Sequence, residues 1–212
     1  MNQFTARVLS LLIASLFVIA QANANLIVNG GFEQNDIKNN SWAWFYSTDV
    51  AGWEGSNIEI WDNFQKFEAY EGRQYAELNA HGKNTGAFSI FQTFNTIAGF
   101  NYDLSFAYGA RRSLAEQFEV SLLAGNNSFY QKLVDDHTIK NWSEFNYQFT
   151  AQGSQTTVMF TSLNTGTYGN FIDDVVVTAS KLPNAPRLTQ VPEPNTIFLL
   201  AIALFAIVRF KK

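Results

Sequence analysis

Cysteine is absent from all 212 residues. No disulfide can brace the fold, so packing or a bound metal must hold it together. Histidine is nearly as scarce. His81 and His137 lie in separate polar stretches with no metal-ligand spacing around them. Asp135-Asp136-His137 has no partner nucleophile in the sequence and reads as a solvated loop. There is no Walker loop, no dinucleotide fingerprint and no nucleophile elbow. Positive charge is also short. The chain carries 14 Lys and Arg against 18 Asp and Glu. Setting aside Arg7, Arg187, Arg209, Lys211, Lys212 and Glu193 leaves the central domain 9 basic and 17 acidic residues, a net charge of −8. A domain that acidic suits neutral ligands, cations or cationic partners, and no nucleic acid.

The ends differ in kind from the middle. Met1 to Arg7 has one positive charge, Leu9 to Ala20 is apolar, and Ala22-Asn23-Ala24 is an A-x-A cleavage site. This is the pattern of a secretory signal peptide over 1–24, with a mature chain that begins at Asn25. At the other end, Val191-Pro192-Glu193-Pro194 precedes an apolar run, Ile197 to Val208, and a basic end, Arg209-Phe210-Lys211-Lys212. As a helix that run reaches about 18 Å. A hydrocarbon core of about 30 Å wants around twenty residues, so the segment is marginal as a permanent span. The basic end would stay in the cytoplasm. Pro183-Asn184-Ala185-Pro186 and the polar residues up to 190 read as an exposed linker.

The ordered motif, hydrophobic helix and basic end of 191–212 resemble the PEP-CTERM sorting signal of Gram-negative envelope proteins. The resemblance implies export through the inner membrane and transient anchoring there. An exosortase-type enzyme then cuts near Pro192, Glu193 and Pro194, and the protein passes to the cell surface or extracellular matrix. An ordinary C-terminal anchor is the alternative.

Between the tails, residues 25–182 alternate with period two. Tyr102, Leu104, Phe106 and Tyr108 interleave with Asp103, Ser105 and Ala107. Phe118, Val120 and Leu122 do the same, as do Phe145, Tyr147 and Phe149, and Thr156, Val158 and Phe160. Successive side chains on a strand point to opposite faces, so each run buries one face and wets the other. Leu26 to Val28, Ile58 to Trp61, Gln74 to Leu78, Phe88 to Phe94 and Phe171 to Thr178 are further strand candidates. Turn signals such as Asn29-Gly30-Gly31 and Gly125-Asn126-Asn127 punctuate them. The pattern predicts an all-β, two-sheet antiparallel β-sandwich.

Asn25-Leu26-Ile27-Val28-Asn29-Gly30-Gly31-Phe32-Glu33 resembles the opening strand of galactose-binding-like jelly rolls, a group that includes many carbohydrate-binding modules. Phe171-Ile172-Asp173-Asp174-Val175-Val176-Val177 resembles their closing strand. Glu71 to Asn79, Ser89 to Phe94 and Tyr102 to Arg111 are similar to the middle strands of exported members. Relatives often bind a structural calcium through the corresponding acidic residues. The chemistry here agrees: calcium takes six to eight oxygens, and Asp173-Asp174 sits in an apolar strand where paired carboxylates are costly unless compensated. Glu33, Asp173 and Asp174 are thus candidate calcium ligands, with one of the two aspartates ligating because they point to opposite faces. The competing reading makes one a turn cap and leaves the other solvated.

Sugar binding needs flat aromatic faces beside polar groups. Trp42, Trp44 and Tyr46 are spaced by two in a loop-like setting and can share one side, with Trp53 and Trp61 following in sequence. In so aromatic a domain, any one of them is as readily core. Arg111 and Arg112 suit an acidic polysaccharide, or pair with the domain's own carboxylates. Three functions remain: a non-catalytic module that binds extracellular polysaccharide, a structural or adhesive matrix protein, and a polysaccharide-active enzyme. The last needs two carboxylates about 5–10 Å apart, and Glu59, Asp62, Glu68, Glu71 and Glu77 supply candidates.

Overall fold

Alternation builds most of the observed fold. The computed structural model describes residues 24–80 and 88–180. The signal-peptide residues before Ala24, the linker, the PEP-CTERM-like segment and His81 lie outside them. Strands β1 (Ser41–Phe45), β3 (Ile58–Asp62), β4 (Gln74–Glu77), β6 (Asn101–Ala110), β9 (Ser143–Thr150) and β11 (Asn170–Ala179) form one antiparallel sheet, ordered β1-β3-β4-β11-β6-β9. Strands β2 (Glu54–Gly55), β5 (Ser89–Asn95), β7 (Phe118–Ala124), β8 (Asn127–Val134) and β10 (Gln155–Ser162) form the other, ordered β2-β5-β10-β7-β8. Among the described residues no helix is long and apolar enough to cross a membrane.

The core lies between the sheets. Leu104 and Phe106 of β6, Val120 and Leu122 of β7, and Val158 and Phe160 of β10 are all buried there. In the register of β6 with β9, Phe106 stands opposite Phe145 and Tyr102 opposite Phe149. These pairs stack at 4.6 Å and 5.5 Å between ring centroids. Each cross-strand pair adds to the sheet what its burial alone does not. Phe145 and Tyr147 are half-buried against this core because β9 is an edge strand. Tyr102, Leu104, Phe106, Phe145, Tyr147, Phe149, Val158 and Phe160, expected inward from the alternation, all meet the core. A second, smaller cluster of Trp61, Phe67, Tyr75 and Phe171 covers the outer face of the first sheet.

Residues 26–28 do not form the expected opening strand. Leu26 N–H donates to Val177 O at 2.8 Å, but Val28 turns away and exchanges both backbone bonds with the side-chain amide of Gln92. Asn29 then takes a left-handed conformation at φ 55. Gly30 presses so close to β11 that a Cβ there would stand 2.0 Å from Val175 O. The segment is therefore a clasp on β11 held partly by side chains, with no ladder of its own.

Candidate functional site

Strand β1 inverts the usual alternation. Phe45 turns to the core, while Trp42, Trp44 and Tyr46 are 38%, 39% and 59% exposed. Trp44 and Tyr46 meet edge-on at 5.3 Å, a favourable geometry for aromatic quadrupoles. Trp42 lies opposite Trp61 and Trp44 opposite Glu59, so these rings share the outer face of the sheet with the residues of β3. β1 is also the sheet's edge. The other two tryptophans singled out in the sequence are placed differently. Trp53 is 2% exposed, stacks on Phe32 at 5.2 Å and donates its indole N–H to Asn29 O. It belongs to the interior. Trp61 is 1% exposed and lies beneath Arg111.

Arg111 is the hub of that outer face. Its guanidinium sits between the rings of Trp61 and Tyr168, at 4.5 Å and 4.6 Å. Its Nη1 donates to both oxygens of Glu77, at 3.0 Å and 2.9 Å, and stands 3.9 Å from Glu59. Glu59 and Glu77 are directly opposed across β3 and β4, and both are buried. Glu59 accepts the Trp61 indole N–H at 2.8 Å, and Glu77 also accepts the Gly169 N–H. Burial, and then the neighbouring Glu59, push the Glu77 carboxyl well above its ordinary pKa, against the pull of Arg111. Two buried carboxylates served by one arginine make Arg111 indispensable to its own sheet. Its charge is spent inward. The two glutamates are correspondingly without exposed surface.

The acidic candidates at the sheet's other end also gather. Asp173 is fully buried; its Oδ2 accepts the N–H of Tyr70 and Glu71, at 2.8 Å and 3.0 Å, and its Oδ1 that of Asp174. Glu33 Oε1 accepts the N–H of Arg73 and Gln74. A Cβ on Gly31 would lie 3.3 Å from Glu71 Oε2 and 3.7 Å from Asp173 Oδ1. So Glu71 joins the pair named from the sequence. Asp174, at φ 47 in the bulge of β11, is half-buried. Burial pushes the Asp173 carboxyl up to about 8, although three backbone N–H groups pull it down. The donors are all oxygen, which suits calcium. Among the described residues no three acidic or histidine side chains converge closely enough to hold a metal by themselves.

His137 is not solvated, as its polar surroundings in sequence had suggested. It is 3% exposed, with Nδ1 3.2 Å from the side-chain nitrogen of Asn170, and burial lowers its pKa. Asp136 accepts the Tyr108 hydroxyl. The sequence carried no signal for Tyr168, or for the opposition of Glu59 and Glu77.

The profile of the family described as "Protein of unknown function (DUF642)" matches residues 25–178. The chain belongs to the DUF642 family. The PEP-CTERM protein-sorting motif matches residues 190–212, which marks an exported protein sorted by the exosortase system. No curated protein matches the chain significantly. The DUF642 domain resembles a solved family 61 carbohydrate-binding module in complex with β-1,4-galactotriose, at 15% identity and TM-score 0.51, over 74% of this chain and 99% of that one. It is also similar to a family 16 carbohydrate-binding module, at 16% identity and TM-score 0.49, over 73% and 99% of the two chains. A family 4 module shares 20% identity and a TM-score of 0.47 over the same shares. The two-sheet antiparallel β-sandwich expected from the sequence is the fold of this DUF642 domain, a jelly roll.

Proposed function

We propose that this DUF642 protein is a non-catalytic carbohydrate-binding module of the cell surface or exopolysaccharide matrix. The observation that carries the reading is β1 and the residue after it: Trp42 and Trp44 exposed on one face of an edge strand, with Tyr46 continuing the period-two row just past its end. Fully burying a large apolar side chain gains about 1.5–3 kcal/mol over leaving it exposed, so a row of partly exposed rings is ready to cover something flat and apolar. The face of a pyranose ring is such a surface. The fold it shares with a module solved on a galactan trisaccharide supports the same reading, and no catalytic role is assigned. Binding of the purified protein to a polysaccharide panel tests it. Trp44→Ala is expected to weaken the best ligand about tenfold, near 1.4 kcal/mol, without moving the melting temperature. No binding to any polysaccharide would leave a structural or adhesive matrix protein.

Calcium completes the domain in this reading. Glu33 and Asp173 hold it, with backbone carbonyls or water supplying the remaining oxygens. A cation offers the buried Asp173 carboxylate the opposite charge that it lacks. At calcium a hundredfold above its dissociation constant the gain is about 2.7 kcal/mol, or some 5–10 °C for a domain of this size. The pH dependence has a definite sign. The Asp173 pKa is higher folded, about 8, than unfolded. The metal-free domain therefore keeps a proton that the unfolded chain loses, and this group's contribution falls as pH rises from about 4 towards 8. Calcium displaces that proton, so its stabilisation grows over the same window. Thermal melts with calcium or chelator at pH 6 and 8 check this. Curves that superimpose at both pH values would make these carboxylates turn caps only.

Release follows sorting. Fractionation of cells should find surface or matrix protein that lacks Arg209 to Lys212, while a Pro192-Glu193-Pro194 triple-alanine variant stays in the inner membrane. Full-length protein in the inner membrane of both strains would make the segment an anchor.

A further inference from the structure

Beside Arg111, the outer face of the first sheet ends in a groove of about 440 Å3 lined by Gln65, Arg111, Arg112, Ile139, Lys140 and Tyr168. Half of these residues are cations, in a domain of net charge −8. Arg111 is turned inward onto Glu77, 2.9 Å away. Arg112 and Lys140 are exposed, and neither pairs with a carboxylate among the described residues. The Tyr168 ring between them and the sheet is 44% exposed. The Arg112 guanidinium lies over it at 4.5 Å.

The groove is built, and its cations are not two stray surface charges. Glu116 is buried and turns its carboxylate onto the backbone N–H groups of Arg111, Arg112 and Ser113, at 2.6–3.2 Å. That fixes the turn from which Arg112 projects and keeps the Glu116 charge occupied. Lys140 is set from the other side by its own N–H on Ala110 O at 2.9 Å. Stacking on Tyr168 preorders the Arg112 fork, which lowers the cost of using it. A planar guanidinium grips carboxylate or sulfate in two parallel hydrogen bonds, and the tyrosine beside it offers a flat face. At physiological salt, charges beyond about 8 Å are largely screened. The acidity elsewhere on the domain therefore does not close the groove to an anion.

We propose that this groove binds the anionic sugar units of an acidic polysaccharide, through a uronate carboxylate or a sulfate ester. The proposal rests on the carbohydrate-binding reading and specifies its ligand. The test is affinity electrophoresis and calorimetry of the full chain in mild detergent, with polygalacturonate, dextran sulfate and neutral β-1,4-galactan. Polygalacturonate, dextran sulfate or both should bind, and binding should weaken as NaCl rises from about 50 to about 500 mM. Arg112→Gln with Lys140→Gln should weaken it at least about tenfold, while Arg112→Lys loses less. Galactan binding and the melting temperature should stay unchanged in these variants, because both side chains are exposed. Retention of polygalacturonate alone identifies the uronate carboxylate; retention of dextran sulfate alone identifies the sulfate ester. Galactan binding without polyanion binding overturns the proposal and leaves the carbohydrate reading intact. Polyanion binding that the double variant does not change overturns it as well. If nothing binds, both fall together.

Discussion

Phe106→Ala is expected to remove about 3–5 kcal/mol from the folding free energy. Phe106 is 2% exposed and stands where the two sheets meet. It stacks on Phe145 at 4.6 Å, meets Phe160 edge-on at 4.9 Å and reaches Phe118 at 6.2 Å. Truncation strips the ring from three neighbours on three different strands, and close-packed surroundings relax only in part into the hole. A domain of ordinary stability, about 5–15 kcal/mol, would lose a third or more of it. Without a disulfide to fall back on, that loss should appear directly as a lower denaturation midpoint at unchanged slope. Phe145→Ala, at the half-buried partner, should cost visibly less. A Phe106→Ala protein that unfolds at the wild-type midpoint would refute the packing described.

Arg111→Met should cost a similar amount for a different reason. It preserves bulk between Trp61 and Tyr168 but leaves Glu59 and Glu77 buried without their shared cation. Stranding a buried charge in this way typically costs about 3–5 kcal/mol. The loss should depend on pH. Glu77 already has a folded pKa well above its ordinary value, because burial and Glu59 disfavour its charge. The folded state therefore holds a proton that the unfolded chain releases, and stability from this group declines as pH climbs from about 4.5. Removing Arg111 raises the folded pKa further. The deficit should accordingly be smaller near pH 5 than at higher pH, because Arg111 matters to Glu77 only once that carboxyl is charged. Adding Glu77→Gln should restore stability at the higher pH, since an amide needs no counter-charge. Denaturant melts at the two pH values decide it. An equal deficit at both would mean that Arg111 acts by packing against the rings and not by charge.

The long alternating runs were legible because one face of each meets the core and the other meets water. β9 and β10 follow that rule along their length and β6 over its first half, while from Phe106 to Ala110 β6 is buried on both faces and β7 also buries Ser121. β1 broke it. Its tryptophans face outward and Ala43 inward, so Ser41 to Phe45 looked like a loop carrying aromatics. β8 is a sheet edge, mostly exposed, and Ser128 to Leu133 show no wet and dry sides to read. Leu26 to Val28 had the composition of a strand, but Gln92 and the Gly30 approach to Val175 fixed its path. In the site, the limits were of register. Trp42, Trp44, Trp53 and Trp61 are alike in sequence, and only the pairing of β1 with β3 and the depth of Trp53 separate platform from core. Glu59 and Glu77 are eighteen positions apart; nothing before the sheet assembles says that they oppose one another beneath Arg111. The acidic end was better exposed to reading, since a doublet of aspartates within Phe, Ile and Val is conspicuous on cost alone.

The clasp at the start of the domain also bears on how the chain travels. Asn25 accepts the Val177 N–H on its side-chain oxygen and donates its amide to Val175 O, across 152 and 150 positions of sequence. Asn25 and Leu26 thus lack their long-range partners until nearly the whole domain has been synthesised. Such distant closure is slow compared with local pairing. A chain bound for another compartment gains from that delay, because a secretion channel passes extended polypeptide and a prematurely closed sandwich would jam it. The last stitch is the one that joins beginning to end, and it can be made only when both have arrived on the same side of the membrane.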